Sequence, residues 1–488
     1  DRVIDAGGRE LSFARDNIGA RSRAFDKRLH DPQLTVFLAE PAAAGQTLTL
    51  AVDYELEISN FVTGADWYPT YHPPDAGLTD LHTARIVVTA PDDVEVRAMG
   101  AKEGETREGK LNTTVFRLDR PAKMVTFTTA RRLIEERHAL ESLPTVVVFG
   151  SDYGVSEDML HDTGADIVNS MNYFQELFDS KLPGDELRAA MIDAGHGQAF
   201  DGMLHLPEYS GVEFSATVPF FRAHEVAHQW WGHMVGWKTY RDQWLSEGFA
   251  EYSAMLYMAA SLDNGEKLFQ EALQVSRDEL TGSLKTAFSR FSRPGQTLLN
   301  SRAAARIGPI GHGYRANVGA SPGAYFSLAY NKGAYVLHML RTILRGVTGS
   351  DETFFTILRD FVATYQGKAA STEDFQQIVT RHAPADWSWF FDQWVYGAEI
   401  PTYEWDWKTG GKTADGKTEI VLRVRQRDVP AGFRMLVPVR VELPGGQSGE
   451  MPVMIDEPEK EVTIALPAPP KTVEFNPGHA VLAKVKRM

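Results

Sequence analysis

Four residues set at fixed intervals between positions 224 and 247 constrain this chain more than anything else in it. The surrounding stretch reads HEVAHQWWGHMVGWKTYRDQWLSEGFAEY and opens with His224-Glu225-Val226-Ala227-His228, an H-E-x-x-H pattern. On a helix, residues four apart lie one above the other on one face. His224 and His228 can therefore grip one zinc ion, with Glu225 beside it and aimed at the water such an ion activates. A catalytic zinc site needs a third protein ligand and an open position. Glu247 supplies it: eighteen residues separate it from His228, and it sits in WLSEGFAEY, which itself reads as a helix. Trp244, Phe249, Tyr252 and Leu256 would pack that second helix, with Ser246 as its N-cap. The glycines of GHMVGWKTYRDQ suit a turn that lays the two helices side by side. A bare H-E-x-x-H also occurs on ordinary exposed helices, and Glu247 in a second aromatic-rich helix is what raises this one above chance.

These residues resemble a known family. H-E-x-x-H followed by Glu within W-L-x-E-G-F-A is similar to the gluzincin zinc metallopeptidases related to aminopeptidase N and the leukotriene hydrolase. The HQWWGH continuation resembles that family's H-Q-W-x-G. Downstream, Tyr330-Asn331-Lys332-Gly333-Ala334 resembles its Y-x-K-G-A segment, whose tyrosine hydroxyl assists the zinc in holding a tetrahedral oxyanion. The resemblance extends in weaker form over almost the whole chain. It implies a peptide substrate, one Zn2+ held by His224, His228 and Glu247, Glu225 as general base and Tyr330 as oxyanion donor. Tyr325 and Tyr335 lie close by, and residue type alone does not choose among the three. Glu251, one helical turn after Glu247, either orients a ligand imidazole or is an ordinary exposed carboxylate. His233 points elsewhere on the helix and reads as structural.

One departure from the family stands out. Its exopeptidases carry a G-A-M-E-N strand whose glutamate binds the substrate's free amino terminus. Here the matching stretch is Gly202-Met203-Leu204-His205-Leu206-Pro207, which puts His205 at the glutamate position. Glu208 could turn inward instead, although strand alternation also lets it face solvent. The family's N-terminal domain often offers a second acid, for which only Asp66 is at hand. The expected activity is an aminopeptidase with altered recognition of the amino terminus. The alternatives are an endopeptidase indifferent to that terminus and, in another class, a catalytically silent binding scaffold.

Along the chain, residues 1 to about 150 read as strands: 34–40, 48–56, 84–90, 94–100, 114–120, 124–131 and 144–150, separated by Gly, Pro and Asp turns. The family's N-terminal domain usually begins several strands earlier, so this one is expected to lack its first part, and Asp1 suggests a processed or truncated chain. From Ser156, a natural N-cap, Leu160, Thr163, Ile167, Met171, Phe174 and Phe178 recur at helical spacing. Strands at 187–193 and 202–209 precede the H-E-x-x-H helix. Helices follow around 265–285, 331–346, 351–365 and 372–382. The segment 286–325, rich in Gly, Arg and Ser, reads as a wall of the substrate cleft. Strands at 418–427, 434–443, 460–466 and 471–476 suggest a small β-sandwich. The expected fold is a multidomain α+β chain. It has an N-terminal β domain (1–152), a thermolysin-like, mainly helical zinc peptidase domain (153–401) and a C-terminal β-sandwich (402–488). The resemblance would add a large C-terminal helical domain, which this chain is expected to lack.

Composition narrows the partners. A net charge of −15 disfavours nucleic acid and anionic membranes as main partners. No apolar run approaches the length of a membrane span. With no cysteine in the chain, neither disulfides nor thiolate ligands contribute. The expectation is a soluble protein, periplasmic, secreted or cytoplasmic, with its oligomeric state left open.

Overall fold

A five-stranded mixed sheet stands at the junction between the β-rich first third of the chain and the helices that follow. In the computed structural model the described residues are 2–16, 33–55, 67–70, 81–193, 197–208, 217–283, 308–318, 321, 323–383 and 385–488. The sheet order is Leu133–His138, Thr145–Ser151, Glu186–Ile192, Met203–Pro207, Gln198–Phe200. The three inner strands run parallel and the two outer ones antiparallel to their neighbours. Parallel strands covered on both faces should be apolar throughout. TVVVFGS and MLHLP fit this, with nearly every residue buried.

Strand alternation sorts those residues onto two cores. Val146, Val148, Leu187, Ala189, Leu204 and Leu206 join the helical core. Val147, Phe149, Ala190, Ile192, Phe200 and Met203 join a second core with Ile86, Val96, Phe116 and Phe127 of the N-terminal strands. Those strands include His82–Pro91, Leu111–Ala122 and Ala101–Glu108 in one sheet and Glu95–Ala98 with Phe127–Ala130 in another.

The helices are α1 (Glu157–Phe178), α2 (Thr217–Ala227), α3 (Trp244–Ser261), α4 (Gly265–Leu280), α5 (Gly333–Thr348), α6 (Glu352–Tyr365), α7 (Thr372–His382) and α8 (Ser388–Trp394). Ser156 caps α1 by accepting from the Met159 amide, and the buried stripe runs from Leu160 through Ile167 and Phe174 to Phe178. Helix α3 is buried on all sides from Trp244 to Met258 save Glu247, as expected of a helix at the centre of a core. It meets α5 where Gly248 faces Gly333: a Cβ on Gly248 would lie 2.8 Å from the Gly333 Cα. That close approach brings the π-helical segment Phe326–Lys332, which leads into α5, against the start of α3.

The last part of the chain is two antiparallel-based sheets. One has the order Glu459–Leu466, Thr418–Arg427, Thr402–Lys412, Lys484–Arg487, and the other Ser448–Ile455, Met435–Glu442, Thr472–Phe475. Alternate residues of Thr418–Arg427 are buried. Ile420, Leu422 and Val424 share a core with Val437, Val439 and Val441 of the other sheet. Strands 2–5, 13–16, 101–108, 133–138, 198–200, 402–412, 448–455 and 484–487 and helix α8 go beyond the elements expected from sequence. No helix among the described residues is long and apolar enough to cross a membrane.

Candidate active site

The turn after α2 decides where the second histidine points. The helix closes at Ala227, and its last bonds tighten: Gln229 N donates to Val226 O and Trp230 N to Ala227 O, both at 3.0 Å. Gly232 takes a φ of +118°, and a Cβ there would lie 2.6 Å from Ser246 Oγ. The chain then passes through a 3-10 turn, Tyr240–Asp242, locked by a Thr239/Asp242 capping box, into α3. Ser246 is not the N-cap of α3, because the helix starts two residues earlier at Trp244 behind Gln243. Its hydroxyl instead donates to Trp231 O at 3.0 Å and lies 3.2 Å from His228 Nδ1.

His224, His228 and Glu247 converge. The two Nε2 atoms are 3.1 Å apart, and Glu247 Oε2 is 3.2 Å from His228 Nε2 and 3.7 Å from His224 Nε2. Metal–ligand bonds near 2.0–2.2 Å at tetrahedral angles place ligand atoms ~3.3–3.6 Å apart. The triangle has that size. Its outward nitrogens are already committed. His228 Nδ1 donates to Trp231 O at 2.9 Å, and His224 Nδ1 lies 2.8 Å from Glu251 Oε2. Both Nε2 atoms therefore turn lone pairs toward each other and toward a carboxylate oxygen, an arrangement that a cation between them stabilises. Burial by itself would raise the Glu247 pKa, but positive charge on the neighbouring His228 and His224, when they are protonated, holds it well below the carboxylate range. Among the described residues the three form one of two groups able to hold a metal ion. The chemistry of two imidazoles and a carboxylate suits zinc.

Around the triangle, Glu225 is buried on α2. The Tyr330 ring stacks on His224, with centroids 5.5 Å apart and planes at 7°. Tyr325 lies perpendicular to Tyr330, and its hydroxyl donates to Glu247 Oε1 at 3.2 Å. Sequence reasoning did not anticipate that contact. Tyr335 points away, donating to His479 O at 2.6 Å. His233 is partly buried, donates to Ala199 O at 3.1 Å and has its pKa pushed down to about 3 by desolvation, so it reads as structural. A further support comes from the N-terminal strands. Lys123 Nζ donates to Gly232 O at 2.6 Å and sits 3.8 Å over the Trp237 ring.

The amino-terminus anchor needs correction. His205 is fully buried, 3.1 Å from Thr128 Oγ1 and against the Phe200 ring. It shares a strand face with Met203, in the core formed with the N-terminal strands, whereas α2 packs on the opposite face. It is thus no contact for a substrate ammonium. A glutamate there would bury a charge against Thr128 and Phe200 instead of restoring an anchor. Glu208, at the strand's end, is partly buried, and its carboxylate rests against Gly154. Burial and then Asp193 raise its pKa. Asp66 and most of 286–325 lie outside the described residues. The described end of that segment, Ile310–Ala316, leads to Asn317, whose side chain accepts from the Tyr325 amide at 2.9 Å.

An H-E-x-x-H pair on one helix and a glutamate from the next, with their outward nitrogens facing Glu251 and the Trp231 carbonyl, form a candidate metal centre of the arrangement that gluzincin metallopeptidases use. Residues 198–394 match the Peptidase family M1 domain. The chain is 28% identical over 169 residues to aminopeptidase O of Rattus norvegicus, covering 33% of this chain and 19% of that protein. With aminopeptidase N of Lactococcus lactis subsp. lactis it shares 24% over 399 residues, 73% of this chain and 43% of the relative. The crystal structure of Legionella pneumophila aminopeptidase A superposes with a TM-score of 0.64 at 14% identity, over 85% of this chain and 45% of that one. The chain thus spans less than half the length of each of these relatives.

Proposed function

We propose that this chain is a zinc-dependent peptidase, an aminopeptidase whose grip on the substrate's amino terminus differs from that of its relatives. The observation that carries the reading is the triangle of His224 Nε2, His228 Nε2 and Glu247 Oε2, with edges of 3.1 to 3.7 Å. When bound there, zinc supplies a Lewis acid that polarises the scissile carbonyl and lowers the pKa of a water. Glu225 takes the proton of the attacking water and returns it to the leaving amine. Tyr330 donates to the developing oxyanion. Glu251 and the Trp231 carbonyl hold the two imidazoles in the tautomer that presents Nε2.

The thermolysin-like assignment of 153–401 finds support in a mixed sheet followed by the α2–α3 helix pair. The division at 152 and 401 is favoured by the change from strands to helices and back. For the amino terminus, all five residues of Met203–Pro207 are buried, so that strand offers no carboxylate to an ammonium. Glu208 is its nearest acid in sequence, and we assign it that contact. The test compares kcat/KM for matched peptides with free and acetylated ends. Preference for the free end in the parent, reduced about tenfold or more in Glu208→Gln, supports the assignment. Equal rates on both peptides in the parent would favour an endopeptidase. No hydrolysis of either, in zinc-loaded protein, would favour a binding scaffold.

A further inference from the structure

Away from the proposed active site, a second convergence of metal-ligating side chains bridges the edge of the central sheet and α1. Glu136 and His138 sit two apart on the edge strand Leu133–His138 and so project from the same face, toward α1. His161 lies near the start of α1. Glu136 Oε1 is 2.8 Å from His161 Nδ1 and 3.3 Å from His138 Nε2, and the two imidazole rings are 5.5 Å apart at 43°. One ligand atom from each residue falls within 4.8 Å of the others. The His138 Nε2 atom is buried and makes no hydrogen bond among the described residues, so its lone pair is open to a ligand role.

The helix is shaped to admit this imidazole. A Cβ at position 164 would lie 2.0 Å from His138 Nε2 and 2.2 Å from its Cδ2, so any larger residue would push the imidazole out of its present place. Gly in the middle of a helix costs about 1 kcal/mol relative to Ala, which the packed histidine explains. Neighbouring ligand atoms around a tetrahedral cation stand ~3.3–3.6 Å apart. The Glu136–His138 edge already has that length, and the shorter Glu136–His161 edge can open because the His161 side chain is 67% exposed.

We propose that Glu136, His138 and His161 form a second divalent-cation site that clips the sheet edge to α1. Two imidazoles and one carboxylate favour a borderline cation, Zn2+ first, over Mg2+ or Ca2+. The remaining position is open to water because the cluster lies at the surface. This site is independent of the catalytic reading: it touches none of the residues assigned to hydrolysis.

The experiment equilibrates the full chain, already carrying its tightly bound zinc, against buffered free Zn2+ and counts bound zinc per chain. The parent should take up a second equivalent. In His161→Ala that equivalent should bind at least about tenfold more weakly, with peptide hydrolysis unchanged. Glu136→Gln should behave in the same way and, being isosteric, also serves if a truncation disturbs packing. A parent that saturates at one zinc throughout would overturn the site, as would a second equivalent that survives both substitutions.

Discussion

Two groups of two histidines and a glutamate lie in this molecule, alike in donor type and unlike in everything around them. At the inner one the His224, His228 and Glu247 side chains are 2%, 11% and 14% exposed; at the outer one His138, Glu136 and His161 are 14%, 32% and 67% exposed. The inner imidazoles are anchored on their far side by Glu251 and by the Trp231 carbonyl, the Tyr330 ring stacks on His224, and the buried Glu225 follows His224 on the same helix. The outer cluster leans on the packing of His138 over Gly164. The comparison teaches that donor type admits a cation, anchoring sets how tightly it is held, and neighbouring groups with protons to move turn binding into chemistry.

The largest expected effect separates the two groups outright. His224→Ala, His228→Ala and Glu247→Ala should each lose the tightly bound zinc and nearly all peptide hydrolysis, whereas His161→Ala should leave hydrolysis intact. Metal content and kcat/KM on the four purified variants check this; stoichiometric tight zinc in the first three would undo the ligand assignment. Next, Tyr330→Phe should retain zinc and KM while kcat falls about 10²–10³-fold, because its hydroxyl acts on transition-state charge. Tyr325→Phe should lose less, as its hydroxyl bonds to Glu247. The reverse ranking in steady-state kinetics would exchange their roles.

The anchoring itself can be graded. Glu251→Gln should weaken zinc at the inner site about 10–100-fold, measured by competition with a chelator, since the partner that orients His224 Nδ1 loses its charge. Unchanged affinity would mean that burial alone holds the imidazole. The smallest effect concerns Lys123, which clamps the turn carrying Trp231 and Gly232, a support the outer cluster lacks. Burial pushes its pKa down from 10.5 to about 7. Above about 7 the unfolded chain holds a proton that the folded chain has released, so stability from this group rises with pH toward the ordinary lysine range. Relative to Lys123→Met, the parent should gain about 1–2 kcal/mol between pH 7 and 9 in denaturant unfolding. A difference that does not change with pH would show that Lys123 stays charged across this range.

What the sequence made legible was whatever was local and periodic. The α1 stripe from Leu160 to Phe178 repeats at helical spacing, and the inner cluster lies within a span of two dozen residues with a helix at each end. Strand Thr418–Arg427 alternates cleanly because one face is buried and one is wet. Ala101–Glu108 is exposed along its whole length and paired on one edge only, so AKEGETRE carries no hydrophobic signal to read. Residue type could not reveal that His205 faces the N-terminal strands: a fully buried strand has no polar face by which to fix its sidedness. Tyr325 reaches Glu247 through the Gly248–Gly333 contact between α3 and α5, a tertiary fact. The outer cluster was equally hidden, since its three residues come from a strand and a helix joined only by the fold.

Glu225 is the proposed base beside a metal centre that it does not itself build. Glu225→Gln, expressed and purified like the parent, should be measured for tightly bound zinc and for kcat/KM on one free-amine peptide. About one tightly held zinc is expected, as in the parent, with kcat/KM lower by about 10³-fold or more. A variant that hydrolyses the peptide at the parent rate, or that loses its zinc, would contradict that role.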